Sequence, residues 1–141
     1  MKEQLYTEII GKFKTLLPNE LEIIKKVLKE TLLNYNTPLS VHIQSIEDLY
    51  YHFNQCFGEA ISIKKRDREI VVIRQYFWYM CKQLFNARYS LKEIGRFKQS
   101  KPYDHSSLIH AIKKINDLED TNDSLYLSMK KDWEEYCKWT F

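Results

Sequence analysis

The residues best placed to do chemistry in this chain are Asp104, His105, Ser106 and Ser107. Asp104 has the side chain of a helix N-cap, because its carboxylate can accept from the free N–H groups of the turn that follows. Leu108, Ala111, Ile112, Ile115 and Leu118 come next at helical spacing, which predicts one buried stripe. His105, Ser106 and Ser107 then stand in the first turn, away from that stripe. An imidazole and two hydroxyls at the tip of a helix can donate to or accept from base edges and phosphates in a major groove. The same residues also describe a plain capped surface helix, so the elements around them decide between the two.

Immediately upstream, Ser90-Leu91-Lys92-Glu93-Ile94-Gly95-Arg96-Phe97 reads as a short helix. Ser90 caps it, Glu93 completes a capping box, and Leu91, Ile94 and Phe97 are spaced for burial. A short helix, a turn and a longer capped helix make a helix-turn-helix. Further upstream lies Lys64-Lys65-Arg66-Asp67-Arg68-Glu69, ahead of a long helix that starts near Arg68 and carries Arg74-Gln75. This order resembles the C-terminal DNA-binding domain (domain IV) of the bacterial chromosomal replication initiator DnaA, a Trp-repressor-like helix-turn-helix. The matching residues are Arg66, Arg74-Gln75, Leu91 to Gly95, Asp104-His105-Ser106-Ser107 and His110-Ala111, spread over Ser45 to Leu118.

The resemblance implies double-stranded DNA as the partner. It places Arg66 in the minor groove, with Lys64, Lys65 and Arg68 on or near phosphates. Asp104, His105 and Ser106 would read the major groove, and Ser107 keeps the second hydroxyl. Arg74 and Gln75 fall off the core stripe of their helix, towards the backbone of the duplex. Lys98, Lys101 and Tyr103 lie in the turn on the same side. That turn, Arg96 to Tyr103, is longer than the family's and lacks its Gly-Gly. Tyr103 stands where the family has Arg, and Ser106-Ser107 stand for Thr-Thr, without the methyls that could pack on thymine. The family's nine-base target therefore does not follow from the resemblance.

Charge supports a basic face. Residues 64–105 carry eleven Lys and Arg against four Asp and Glu, or +7, while the remainder carries eleven against fifteen, or −4. A basic middle between acidic ends suits a domain that presents one side to phosphates. Gly11, Gly58 and Gly95 cannot build Gly-x-x-x-x-Gly-Lys, so ATP-driven work is not expected of this chain. No carboxylate cluster lies near the basic stretch, which argues against a nuclease. Cys56, Cys81 and Cys137, with His42, His52, His105 and His110, show no metal-ligand spacing. The expectation is no catalytic residue, no metal, no disulfide and no cofactor.

Positioning falls to helices. Three glycines and three prolines in 141 residues leave few tight turns, so the expected fold class is all-α: a helix-turn-helix domain with an N-terminal helical hairpin and a C-terminal helix. Residues 1–44 read as the hairpin extension and 45–141 as the DNA-binding domain. In the hairpin, Leu5, Ile9, Phe13 and Leu16 share one face, Pro18 breaks the chain, and Leu21, Ile24, Leu28 and Leu32 face inward. Ser45 and Asp48 make a capping box for a helix burying Ile46, Leu49, Tyr50, Phe53 and Phe57, with Gly58 as terminator. The helix from Arg68 to Asn86 buries Ile70, Ile73, Phe77, Cys81 and Leu84. Trp78 or Tyr76 is expected to meet the hairpin. Asp123 or Ser124 caps a last helix that buries Leu125, Met129, Trp133 and Tyr136. With no long apolar run and no leader after Met1, a membrane is not expected and the cytoplasm is. The hairpin's apolar faces suit the core, a homodimer partner or a replication protein. A helical protein–protein adaptor on the same scaffold is the competing reading, and an RNA-binding module is the third.

Overall fold

Apolar residues at helical spacing build the longer helices among the described residues. The computed structural model describes residues 2–13, 15–33, 39–63 and 66–141. Among these there is no strand, and the fold is all-α. The chain divides into two units, one of Met1–His42 with Glu134–Phe141 and one of Ile43–Trp133.

The first unit holds α1 (Lys2–Lys12), α2 (Pro18–Leu33) and the single turn α3 (Leu39–His42). Pro18 opens α2 instead of only ending α1. At the first helical position its missing N–H costs nothing and its fixed φ suits the helix. α1 stops at Lys12, so Phe13 and Leu16 lie beyond it and leave its periodicity. Ile9 is half-buried, but Leu5 and Phe13 are exposed, which corrects the expected single inward face. In α2, Leu21, Ile24, Leu28 and Leu32 are half-buried as the spacing required, while Ile23 and Val27 stand out at 64% and 57% exposure. The end of the chain adds aromatic contacts: Trp139 meets Tyr6 edge-on at 5.7 Å, and Phe141 stacks on His42 at 4.8 Å.

The second unit starts with α4 (Ile46–Phe57). Ser45 Oγ accepts from Asp48 N at 3.1 Å. The Asp48 carboxylate accepts from Gln44 N at 3.2 Å, one residue earlier than a standard box. Gly58 ends the helix at φ 74°, a conformation that favours glycine. α5 (Arg68–Phe85) follows and then a 3-10 turn, Asn86–Arg88. α6 (Leu91–Arg96), α7 (His105–Asp120) and α8 (Ser124–Thr140) complete the order, α8 running on into the first unit.

α5 is the axis of this unit, because α4, α6 and α7 all pack on it. Burial therefore runs around most of its circumference: Val72, Ile73, Arg74, Tyr76, Phe77, Trp78, Cys81 and Phe85 are all buried. The single stripe expected from Ile70 to Leu84 describes only part of that. Phe53 sits between α4, α5 and α8, 5.4 Å from Phe77 and 4.5 Å from Trp133. Tyr76 packs on Phe53 and Tyr126, and Trp78 on Tyr103 at 4.8 Å. These rings, with Leu49, Ile94, Leu108 and Ile115 almost wholly buried, form the core that α7 rests on.

Candidate nucleic-acid interface

α7 begins where the sequence placed it. Asp104 is extended at φ −78°, ψ 167°, and its Oδ1 accepts from Ser107 N at 2.8 Å. The same oxygen accepts from the Ser106 hydroxyl at 2.7 Å. These bonds, that from the Ser106 hydroxyl foremost, hold the Asp104 carboxyl below the usual carboxylate value. Ser106 therefore spends its hydrogen on the cap and keeps its lone pairs to accept from a ligand. Leu108, Ala111, Ile115 and Leu118 are buried, and Ile112 is half-buried.

The opposite face of α7 is open. His105 and Ser106 are exposed in its first turn, and Ile109, His110 and Lys113 continue that face. Ile109 is 50% exposed, an apolar side chain where a surface helix would carry a polar one. Its place one turn after His105 and outside the predicted stripe was available from the sequence. Ser107 is half-buried.

α6 is fixed by a full capping box: Ser90 Oγ accepts from Glu93 N at 3.1 Å, and Glu93 Oε1 accepts from Ser90 N at 3.2 Å. A Cβ at Gly95 would lie 2.8 Å from Tyr103 O and 3.0 Å from Leu108 Cδ1. Tyr103 N donates to Gly95 O at 3.1 Å. Glycine thus allows α6 to touch the segment entering α7.

Between the two helices the longer turn is packed inward. Phe97 meets Tyr50 at 5.4 Å and Phe77 at 6.2 Å. Lys98 adopts φ 55°, and its exposed side chain lies 5.5 Å from the Tyr50 ring. Gln99 Nε2 donates to Ile61 O at 2.7 Å. Lys101 is exposed. Tyr103 is half-buried, against Trp78 and beneath the Arg74 guanidinium, whose carbon lies 5.3 Å from its ring.

The basic residues divide. Lys64 and Lys65 lie outside the described residues. Arg66 is exposed. Arg68 is exposed and ion-paired with Asp123, whose other oxygen caps α8 by accepting from Tyr126 N at 3.0 Å. Gln75 is half-buried. Arg74 differs from its expected place off the core: it is 7% exposed and donates to Ile63 O at 2.7 Å. The reason is the central position of α5, which leaves little of its circumference open. Arg66 follows Ile63 by three residues, and the chain covers at most about 3.6 Å per residue, so it stays within roughly 11 Å of that anchored carbonyl. His105 follows Tyr103 by two. Arg74 therefore touches both Ile63, three residues before Arg66, and Tyr103, two residues before His105.

A short capped helix, a turn and a longer capped helix with an open outer face, backed by a central helix, define a helix-turn-helix domain. That class lays its second helix in a DNA groove. Residues 50–115 match the family model for the bacterial dnaA protein helix-turn-helix, and they are a domain of that family. The chain is 34% identical over 99 residues to the chromosomal replication initiator protein DnaA of Limosilactobacillus fermentum, covering 70% of this chain and 21% of that protein. It is 33% identical over 100 residues to that of Geobacter metallireducens, covering 70% and 20%. With that of Buchnera aphidicola subsp. Cinara cedri it shares 32% over 106 residues, covering 75% and 23%. The chain thus spans about a fifth of the length of these curated relatives. No solved structure matches. Among the described residues, no group of three or more His, Cys, Asp or Glu is arranged to hold a metal, and no helix is long and apolar enough to cross a membrane.

Proposed function

We propose that the chain binds double-stranded DNA sequence-specifically, in replication or its control and in the cytoplasm, without itself hydrolysing ATP. The supporting observation is the open face of α7, where His105 and Ser106 stand exposed on a capped first turn. In this reading His105, Ser106 and Asp104 read base edges in the major groove, with Ser107 at the groove wall. Arg66 enters the minor groove, where a narrow groove attracts a guanidinium. Lys64, Lys65, Arg68, Gln75, Lys98 and Lys101 contribute phosphate contacts, and their affinity arises by counterion release. Arg68 reaches a phosphate by exchanging its Asp123 partner for it. Tyr103 supports α7 from behind.

The test is selection of bound duplexes from a randomised pool, followed by a salt series on the winning duplex. A specific reader enriches a sequence and shows a steep salt slope. His105→Ala is expected to lose about 1–3 kcal/mol on the winning duplex and almost nothing on random DNA. Equal loss on both would remove His105 from readout.

A protein–protein role is favoured by a different observation. Ile23 and Val27 on α2, with Leu17 just before it, are largely exposed, an apolar surface suited to a second copy or a replication protein. An adaptor of this kind would show weak binding to random duplex and a shallow salt slope.

A further inference from the structure

We propose that Arg74 and Gln99 are positioning residues that register the approach to Arg66 against the start of α7, so that the two groove-reading parts meet DNA as one unit. This rests on the reading of Arg66 and His105 as groove residues. Arg74 comes from the middle of α5 and Gln99 from the turn between α6 and α7, yet both donate to the backbone of one short segment. Arg74 Nη1 donates to Ile63 O and Gln99 Nε2 to Ile61 O, each at 2.7 Å. Ile61 is itself 1% exposed, so this segment is held by packing as well as by hydrogen bonds.

The same guanidinium also approaches the second reading part. Its carbon lies 5.3 Å from the ring of Tyr103 and 6.0 Å from that of Trp78. A cation over an aromatic face is attracted most where water is excluded, and Arg74 is buried. Tyr103 directly precedes the cap residue Asp104, and its N–H is held by Gly95 O. One buried cation therefore contacts the chain three residues before Arg66 and two residues before His105. A planar fork can hold a carbonyl with one edge while its face lies on a ring, which a lysine cannot do.

Two departures of this chain from the family pattern feed the device. The extended turn supplies Gln99, and the Arg-to-Tyr difference supplies the ring under Arg74. An arginine at 103 would bring a second guanidinium beside Arg74, and like charges in a buried setting repel.

A double-mutant cycle tests the proposal, with the duplex enriched by the wild-type protein as the probe. Arg74→Met is expected to weaken specific binding about ten-fold or more, comparable to loss of a groove contact. In an Arg66→Ala background the same substitution is expected to cost little further, because the residue it positions is gone. The salt slope in that background is expected to stay unchanged. A direct phosphate contact by Arg74 would instead lower the slope by about 0.9. Gln99→Ala, at a half-buried turn position less critical to folding, is expected to repeat the pattern at smaller size. Additive losses, or a lowered slope in the Arg66→Ala background, would overturn the positioning roles while leaving base reading intact. Failure of the wild type to enrich any duplex would overturn base reading and this proposal with it.

Discussion

At the scale of single residues, Asp104 sets how the outer face of α7 is presented. Its Oδ1 accepts from a hydroxyl and a backbone N–H, and both bonds are stronger to the ionised carboxylate. A folded-state value below the ordinary 3.8 means that the capping contribution is complete above 3.8 and is lost only as pH falls through the lowered value. Neutral and mildly acidic solutions therefore leave the cap whole. An NMR titration is expected to show the Ser106 and Ser107 amides moving together, with a midpoint below 3.8. Asp104→Asn is expected to keep the helix start, since asparagine caps as well, while abolishing that titration. A midpoint at or above the ordinary value would show that the carboxylate is not held by these groups. If Asp104→Asn also keeps base preference, capping is the whole of its role and base reading is not part of it.

At the scale of elements, the packing of α6 against the entry to α7 rests on Gly95. Alanine is the better helix former by about 1 kcal/mol. Against that, its Cβ would meet a backbone oxygen at 2.8 Å, and a backbone atom cannot rotate aside. Overpacking of this kind costs about 1–3 kcal/mol, so the clash is expected to win. Gly95→Ala should lower the denaturant midpoint with an unchanged slope and displace the α7 tip, weakening specific DNA binding more than random binding. A midpoint equal to or above that of the parent would mean that the two helices approach less closely. The elements themselves were largely legible, because caps are local chemistry: Ser90 with Glu93, Asp104, Asp123 and Gly58 all act where their residue types predict. What escaped was set by tertiary neighbours. Arg74 falls off the stripe that spacing alone predicts, yet it is buried because α5 has neighbours on several sides. Gln99 gave no signal at all, since its reach to Ile61 depends on the course of a turn in which Lys98 takes a positive φ.

At the scale of the whole molecule, fully buried apolar side chains are unevenly shared. Every such residue among those described lies between Ile43 and Trp133, and none in Met1–His42 or Glu134–Phe141. Burial of a large apolar side chain contributes about 1.5–3 kcal/mol when complete and correspondingly less when partial. The half-buried Leu21, Ile24 and Leu28 thus stabilise their unit less, residue for residue, than Leu49, Phe53 and Phe77 stabilise theirs. Deleting residues 1–36 is therefore expected to leave a protein that unfolds cooperatively and binds the winning duplex within about three-fold of the parent, a difference below 1 kcal/mol. Amide exchange in α4, α5 and α7 should remain slow in the shortened chain, since those helices carry the core. If the N-terminal helices also join two copies, the same deletion converts a dimer in sedimentation into a soluble monomer. Loss of cooperative unfolding, or aggregation with loss of DNA binding, would show instead that the hairpin is part of what holds the DNA-reading unit together.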